Sequence, residues 1–231
     1  MAITRVAILQ QQNLHREVVG VIAGAARKLA AIYFPVYALL MVVGPEFIRF
    51  LFTQRYAGSW PIFAINLTLL PLNIVLLDAL LRSYASERYF VLRLRMAILS
   101  TLVLVLWFWT RELGLTGVIA TVVGAGIVER TTMAIRFGSL LGVTRQDARL
   151  LKDVGKLALA AAVAGLTCAA LRLTIAGTAP LIVLAVCGTV FLAIYLAGIH
   201  FLGILAADEY GMIRRGVERF LPHSLRNRPA V

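Results

Sequence analysis

Apolar residues along this chain come in long continuous runs separated by short polar segments. Crossing about 30 Å of hydrocarbon at about 1.5 Å per residue takes roughly 20 apolar residues. Six stretches meet that need: about Leu29–Phe50, which holds Pro35 and Pro45, then Pro61–Leu81, Leu94–Thr110, Leu115–Arg136, Leu157–Leu173 and Ala179–Ala207. The fourth is interrupted by Glu129 and Arg130. The fifth is short, Ala-rich and flanked by Lys156 and Arg172. Barrel strands would alternate apolar and polar at every second residue, and these runs do not. A continuous run in hydrocarbon has to satisfy its own backbone as helix. The pattern therefore predicts an all-α fold, a polytopic membrane helix bundle of about six transmembrane helices.

The polar segments divide the chain into a lead-in (1–28), a six-helix transmembrane domain (29–207) and a basic tail (208–231). In the lead-in, Leu14, Val18, Val21, Ile22, Ala25 and Leu29 share one helical stripe, with Gln11, Gln12, His15 and Arg16 largely off it. Such a helix either lies in the membrane interface or packs on its neighbours as a cytoplasmic lead-in. Residues 1–28 contain Arg5, Arg16 and Glu17 and no uninterrupted apolar signal core, so the first span is expected to direct insertion. "TQRYAGSWP" (53–61) reads as a tight hairpin. Gly58 and Ser59 favour a turn, Pro61 suits the first turn of the next helix, and Tyr56 and Trp60 fall where aromatic belts form. "RELG" (111–114) and "TIAGT" (174–178) are expected turns on the same side. Arg82–Arg95 and Phe137–Lys156 are expected loops on the other, the latter with a short polar helix over Arg145–Lys152. The tail repeats an amphipathic stripe at Ile213, Val217, Phe220 and Leu221.

Composition agrees with a lipid-embedded chain. Of the 231 residues, 61% are hydrophobic and 15% charged, whereas soluble domains are nearer half apolar and about a quarter charged. The net charge of +12 raises the question of nucleic acid, and its distribution answers it. With six spans, every Lys and Arg except Arg49, Arg55, Arg111 and Arg172 falls on one side. That asymmetry places both termini in the cytoplasm. A nucleic-acid surface would instead gather its cations on one folded face with interleaved aromatics. The split also supports the count, because dropping one span would invert everything after it.

Candidate chemistry is sparse. His15, His200 and His223 form no spaced ligand set with Cys, Asp or Glu, and Cys168 and Cys187 lie inside predicted helices as apolar fillers. No catalytic residue, metal site or cofactor is predicted. Polar residues inside spans are more informative, since each is costly in lipid. Asn66 and Asn73 share a face of the second span, with Pro71 bending the helix between them. That face either lines an aqueous cavity or bonds to a neighbouring helix. Asp78 is a third cavity-lining candidate and is also placed to pair with Arg82. Glu46 and Arg49 make a similar i,i+3 pair. Glu129 and Arg130 are expected to snorkel or to find partners on other helices, and His200 to be a satisfied bundle residue. Ala161, Gly165 and Ala169 form a small-residue ridge suited to close helix packing, as do Gly117, Thr121 and Gly124.

"ARKLAAIYFPVYALLMVVGPEFIRFLFTQRYAGSWPIFAI" (25–65) resembles a recurring segment of polysaccharide flippases of the multidrug/oligosaccharidyl-lipid/polysaccharide exporter superfamily. Arg27, Lys28, Pro35, Leu51, Phe52, Tyr56 and Ser59 match in order, and Thr53 departs where the family has glycine. "ELGLTGVIATVVGAGI" (112–127) is similar to the family's entry into its next helix, with Gly114 and Gly117 matching and Val118 and Ile119 in place of alanines. The likeness spans about residues 15–205. It implies that the chain corresponds to part of the second lobe of a flippase, beginning before the ninth of twelve to fourteen spans. Residue 1 is then a fragment boundary, an alternative start or the start of a shortened gene. By resemblance the complete protein moves a polyprenyl-diphosphate-linked oligosaccharide across the bacterial inner (plasma) membrane in surface polysaccharide or lipopolysaccharide biosynthesis. Membrane lipid and a first-lobe protein or a second copy would be its partners, and no catalytic residue is implied. The competing expectations are a non-transporting scaffold for polysaccharide assembly enzymes and a membrane-embedded glycosyltransferase. The short predicted turns on the outer side disfavour the glycosyltransferase.

Overall fold

A computed structural model describes residues 15–52, 54–74, 87–141, 152–175 and 177–203. Among these the chain is helical, with no strand. Helix α1 is His15–Phe52, and a 3-10 turn, Gln54–Ser59, leads to α2, Trp60–Leu67. Then come α3, Leu69–Leu72; α4, Arg88–Leu141; α5, Lys152–Thr174; and α6, Pro180–Phe201. Among the described residues four helical stretches are long and apolar enough to cross a membrane: Gly20–Phe52, Arg88–Leu140, Lys152–Thr174 and Pro180–Phe201.

Several boundaries differ from the sequence expectation. The lead-in and the first span are one helix through Pro35 and Pro45. Each proline removes a backbone N–H, and packing on α5 and α6 holds the helix together across the gaps. The segment expected as the second span is divided at Thr68. Pro71 cannot donate to the Leu67 carbonyl four residues back, and its ring crowds that carbonyl, so the break falls one turn ahead of the proline. The third span starts at Arg88, inside the expected loop, and the fourth continues to Leu141. The end of the second span with Asp78 and Arg82, the Arg145–Lys152 segment up to residue 151, the first fourteen residues and the tail lie outside the described residues.

Helix α4 folds back on itself as a hairpin. Gly114 has φ 59° and ψ −176°, a conformation essentially reserved for glycine. Arg95 bonds Glu129 at 2.9 Å, and Arg136 bonds Glu87 at 3.0 Å. On a straight rod the first pair would stand about 51 Å apart. The two arms, 88–113 and 115–141, therefore run back along each other from the expected turn, and each is roughly 40 Å long.

Helices α1, α5 and α6 form the core. Much of it is small: Ala26, Ala30, Ala160, Ala161, Ala164, Cys168 and Cys187 are all buried. Small side chains let helix backbones approach closely where lipid offers no hydrophobic drive to associate. The α5 ridge acts as expected, with Gly165 facing Ala38 of α1. On α4 the contact falls elsewhere. Gly124 faces open space, and Gly126, on another side of the helix, meets Leu69. Close pairs Ala38–Gly165 and Glu46–Arg172 show that α1 and α5 run parallel. Tyr195 against Ala31, and Gly198 against Ala160, show α6 antiparallel to both. The hairpin packs on α2 and α3.

Candidate functional site

Asn66 is exposed and donates from Nδ2 to the Ile62 carbonyl at 3.0 Å. Asn73 does the same to the Leu69 carbonyl at 3.1 Å. Both amides thus bond to their own turn of helix, and Asn73 helps to cover the backbone beside the Pro71 break. Asp78, the third cavity-lining candidate, lies outside the described residues. His200 is exposed near the end of α6, its ring 6.1 Å from that of Phe201.

The charged side chains gather at the two ends of the helices. Level with the start of α5, and about twelve residues into α1, Arg27 and Lys28 lie toward the same end as Lys152 and Lys156. Lys156 donates to the Leu202 carbonyl at 3.2 Å, which places a cation on the C-terminus of α6. The hairpin carries its ion pairs toward its own open end. Glu87 is 3% exposed and sits just before α4, where the helix dipole favours an anion. Arg136 grips it with two bonds of 3.0 Å, Nε to Oε2 and Nη2 to Oε1, and lies 5.2 Å from the Phe90 ring centre. Glu129 finds Arg95 on the other arm, as the sequence allowed, while Nη1 of Arg130 is buried without a partner. Arg88, Val91, Leu92 and Arg95 border a groove of about 440 Å³.

At the opposite end Glu46 does not take Arg49, its expected partner. Arg172 of α5 approaches instead and donates from both Nε and Nη2 to Glu46 Oε1, at 3.0 and 2.8 Å. Oε2 of the same carboxylate is buried and unpartnered. Arg49, one turn further along α1, is exposed. Among the described residues it has no carboxylate partner, and it lines a cleft of about 480 Å³ with Gln54, Thr178 and the Glu46–Arg172 pair. Leu173, Pro180 and Val183 form the apolar wall. Gly177, with φ 99°, turns the chain from α5 into α6 beside this cleft.

Sequence reasoning missed Glu87 and the long-range partner of Glu46. The Glu87–Arg136 and Arg95–Glu129 pairs are placed symmetrically about the Arg111–Gly114 turn, so folding the sequence back at that turn is the signal that finds them. The Glu46–Arg172 contact joins positions on helices separated by the hairpin, and no periodicity within one segment reports it. Among the described residues no three His, Cys, Asp or Glu stand together as a metal site. Cys168 and Cys187 are buried free thiols, the first donating to the Cys187 carbonyl at 3.7 Å. What these sites can do chemically is hold anions, exchange ion pairs and fix helices against one another. Comparison with protein-family models, with curated proteins and with solved structures finds no match.

Proposed function

We propose that this chain is a flippase-like membrane protein, part of an exporter that moves a polyprenyl-diphosphate-linked oligosaccharide across the bacterial inner membrane. It works by alternating access with a first lobe supplied elsewhere in the same protein, by a separate chain or by a second copy. The reading rests on residues 25–65, which carry the resemblance. Arg27 and Lys28 lie within α1 ahead of Pro35, Tyr56 and Ser59 lie in the 3-10 turn, and α2 follows it, an order compatible with that resemblance. The polar groups at both helix ends are of the kind that meets a diphosphate and its sugars.

Six spans with both termini cytoplasmic remain the layout we favour. Helices α1 and α5 are parallel, and the α4 hairpin adds two crossings between them. One more crossing between them, the expected second span, is what allows both to span in the same direction. Alternating access needs two moving units around one site, so this chain alone is not expected to transport.

Translocation of a lipid-linked oligosaccharide, scored in membranes expressing the chain with and without its upstream coding region, tests the proposal. Transport only when a first lobe or a dimer is present supports it. Transport by the isolated monomer defeats the half-transporter reading. Absence of transport in every arm, with polysaccharide enzymes still recruited to the membrane, assigns the scaffold role instead.

A further inference from the structure

We infer that the cleft between Arg49 and Arg172 binds a phosphate ester that carries a neighbouring ammonium or hydroxyl group, with a zwitterionic phospholipid headgroup as its source in the bilayer. The inference does not depend on the export reading, because it concerns one end of the bundle whichever face of the membrane that end meets.

The charge arrangement points to an anion. Arg49 and Arg172 both line the cleft, and Arg49 has no carboxylate partner among the described residues. Pro180, the first residue of α6, lines it too, and Ala179, in the cap position before it, gives the helix no side-chain cap. The partial positive charge of that 22-residue helix therefore adds to the two cations. Guanidinium groups match phosphate oxygens in a planar fork, and Gln54 and Thr178 supply further polar groups at the rim.

Glu46 decides which phosphate. A cleft built only for an inorganic anion gains nothing from a carboxylate at its edge. Here Arg172 turns Nε and Nη2 to Oε1, and Oε2 is left without a donor, while the other N–H groups of the guanidinium remain for the phosphate. The terminal torsion of glutamate is soft, so a small turn of the carboxylate offers the unused oxygen to a donor in the cleft while α1 stays in place. A ligand with a phosphate at Arg49 and a donor two or three bonds away from it satisfies both groups together. The apolar wall of Leu173, Pro180 and Val183 suits the glycerol and acyl portion. Phe52 packs against Tyr56, and Trp60 against Phe63, on the segment that leads out of α1, and aromatic rings of this kind collect at headgroup level.

The test uses the full chain, purified in detergent and delipidated, with binding read by native mass spectrometry and thermal shift. The probes are phosphatidylethanolamine, phosphatidylcholine, whose quaternary nitrogen has no proton to donate, and glycerophosphoethanolamine, which has no tails. Saturable binding of phosphatidylethanolamine, at least about fivefold tighter than phosphatidylcholine, is expected. Arg49→Gln lowers affinity for both lipids by roughly tenfold. That variant leaves the Glu46–Arg172 pair intact, so its fold is secure. Glu46→Gln abolishes the preference between the two lipids. Protection by glycerophosphoethanolamine alone assigns the same chemistry to a soluble phosphoester. Equal binding of the two lipids, or an Arg49→Gln protein that binds like the wild type, overturns the inference.

Discussion

Tyr195 shows how one side chain repairs a defect made by another. Pro35 has no N–H to give the Ala31 carbonyl, its normal partner four residues back. The Tyr195 hydroxyl donates to that carbonyl at 3.0 Å from across the α1–α6 contact, with the tyrosine 4% exposed. Tyr195→Phe keeps the ring and removes the donor, so it is expected to cost about 1 kcal/mol. For a chain of this size that lowers the thermal midpoint by roughly 2–4 °C in detergent. An unchanged midpoint would mean that the carbonyl finds another donor. Gly44 is a second single-atom constraint. A Cβ there would fall inside the indole of Trp60, which lies directly on the backbone of α1. Gly44→Ala must push the indole away, at a cost of roughly 1–3 kcal/mol, and is expected to loosen the 3-10 turn. Tryptophan fluorescence and protease sensitivity around residues 54–59 would report it. The glycine and the tryptophan were both legible in the sequence. Their contact was not, because it depends on the angle at which α2 leaves the turn.

Among the helices, the α4 hairpin has the plainest geometry. Its turn is set by Gly114 and its closure by ion pairs between the arms. Cysteines introduced as Arg95→Cys with Glu129→Cys are expected to crosslink through a short bifunctional reagent. A continuous rod would hold them about 51 Å apart, and failure to crosslink would support it. Glu87→Ala strips Arg136 of a buried carboxylate and is expected to separate the arms near their open end, seen as faster hydrogen exchange over 87–92 and 132–138. Close packing of α5 on α1 makes a graded prediction. The Cβ of Gly165→Ala would sit 3.5 Å from that of Ala38, an ordinary contact, so alanine is tolerated. Gly165→Leu forces the helices apart and is expected to lower the midpoint well beyond the alanine variant.

In the molecule as a whole, parallel α1 and α5 with a hairpin between them constrain the membrane topology. Gln54→Cys, Arg111→Cys and Thr178→Cys are expected to react with an impermeant thiol reagent from one side, and Lys152→Cys from the other. Cys168 and Cys187 are buried and stay silent. Labelling of positions 54 and 111 from opposite sides would remove the additional crossing proposed between α1 and the hairpin. The exposed apolar surface fits the same picture. Leu166, Leu173, Leu196 and Phe201 are all more than half exposed on helices whose other faces form the core, as suits side chains that meet lipid.

Hydrophobic run length was enough to establish helices, their approximate places and the turns at residues 53–61, 111–114 and 174–178. Each depends on a local cause: the thickness of hydrocarbon, the self-sufficiency of helical hydrogen bonds, and the conformations open to glycine and proline. Packing decided the rest. It chose Arg172 over Arg49 for Glu46, placed Gly126 rather than Gly124 against a neighbour, and matched Tyr195 to the carbonyl that Pro35 leaves open. These choices join residues far apart in the chain, where the energy depends on helix rotation and crossing angle, and a linear pattern carries neither quantity.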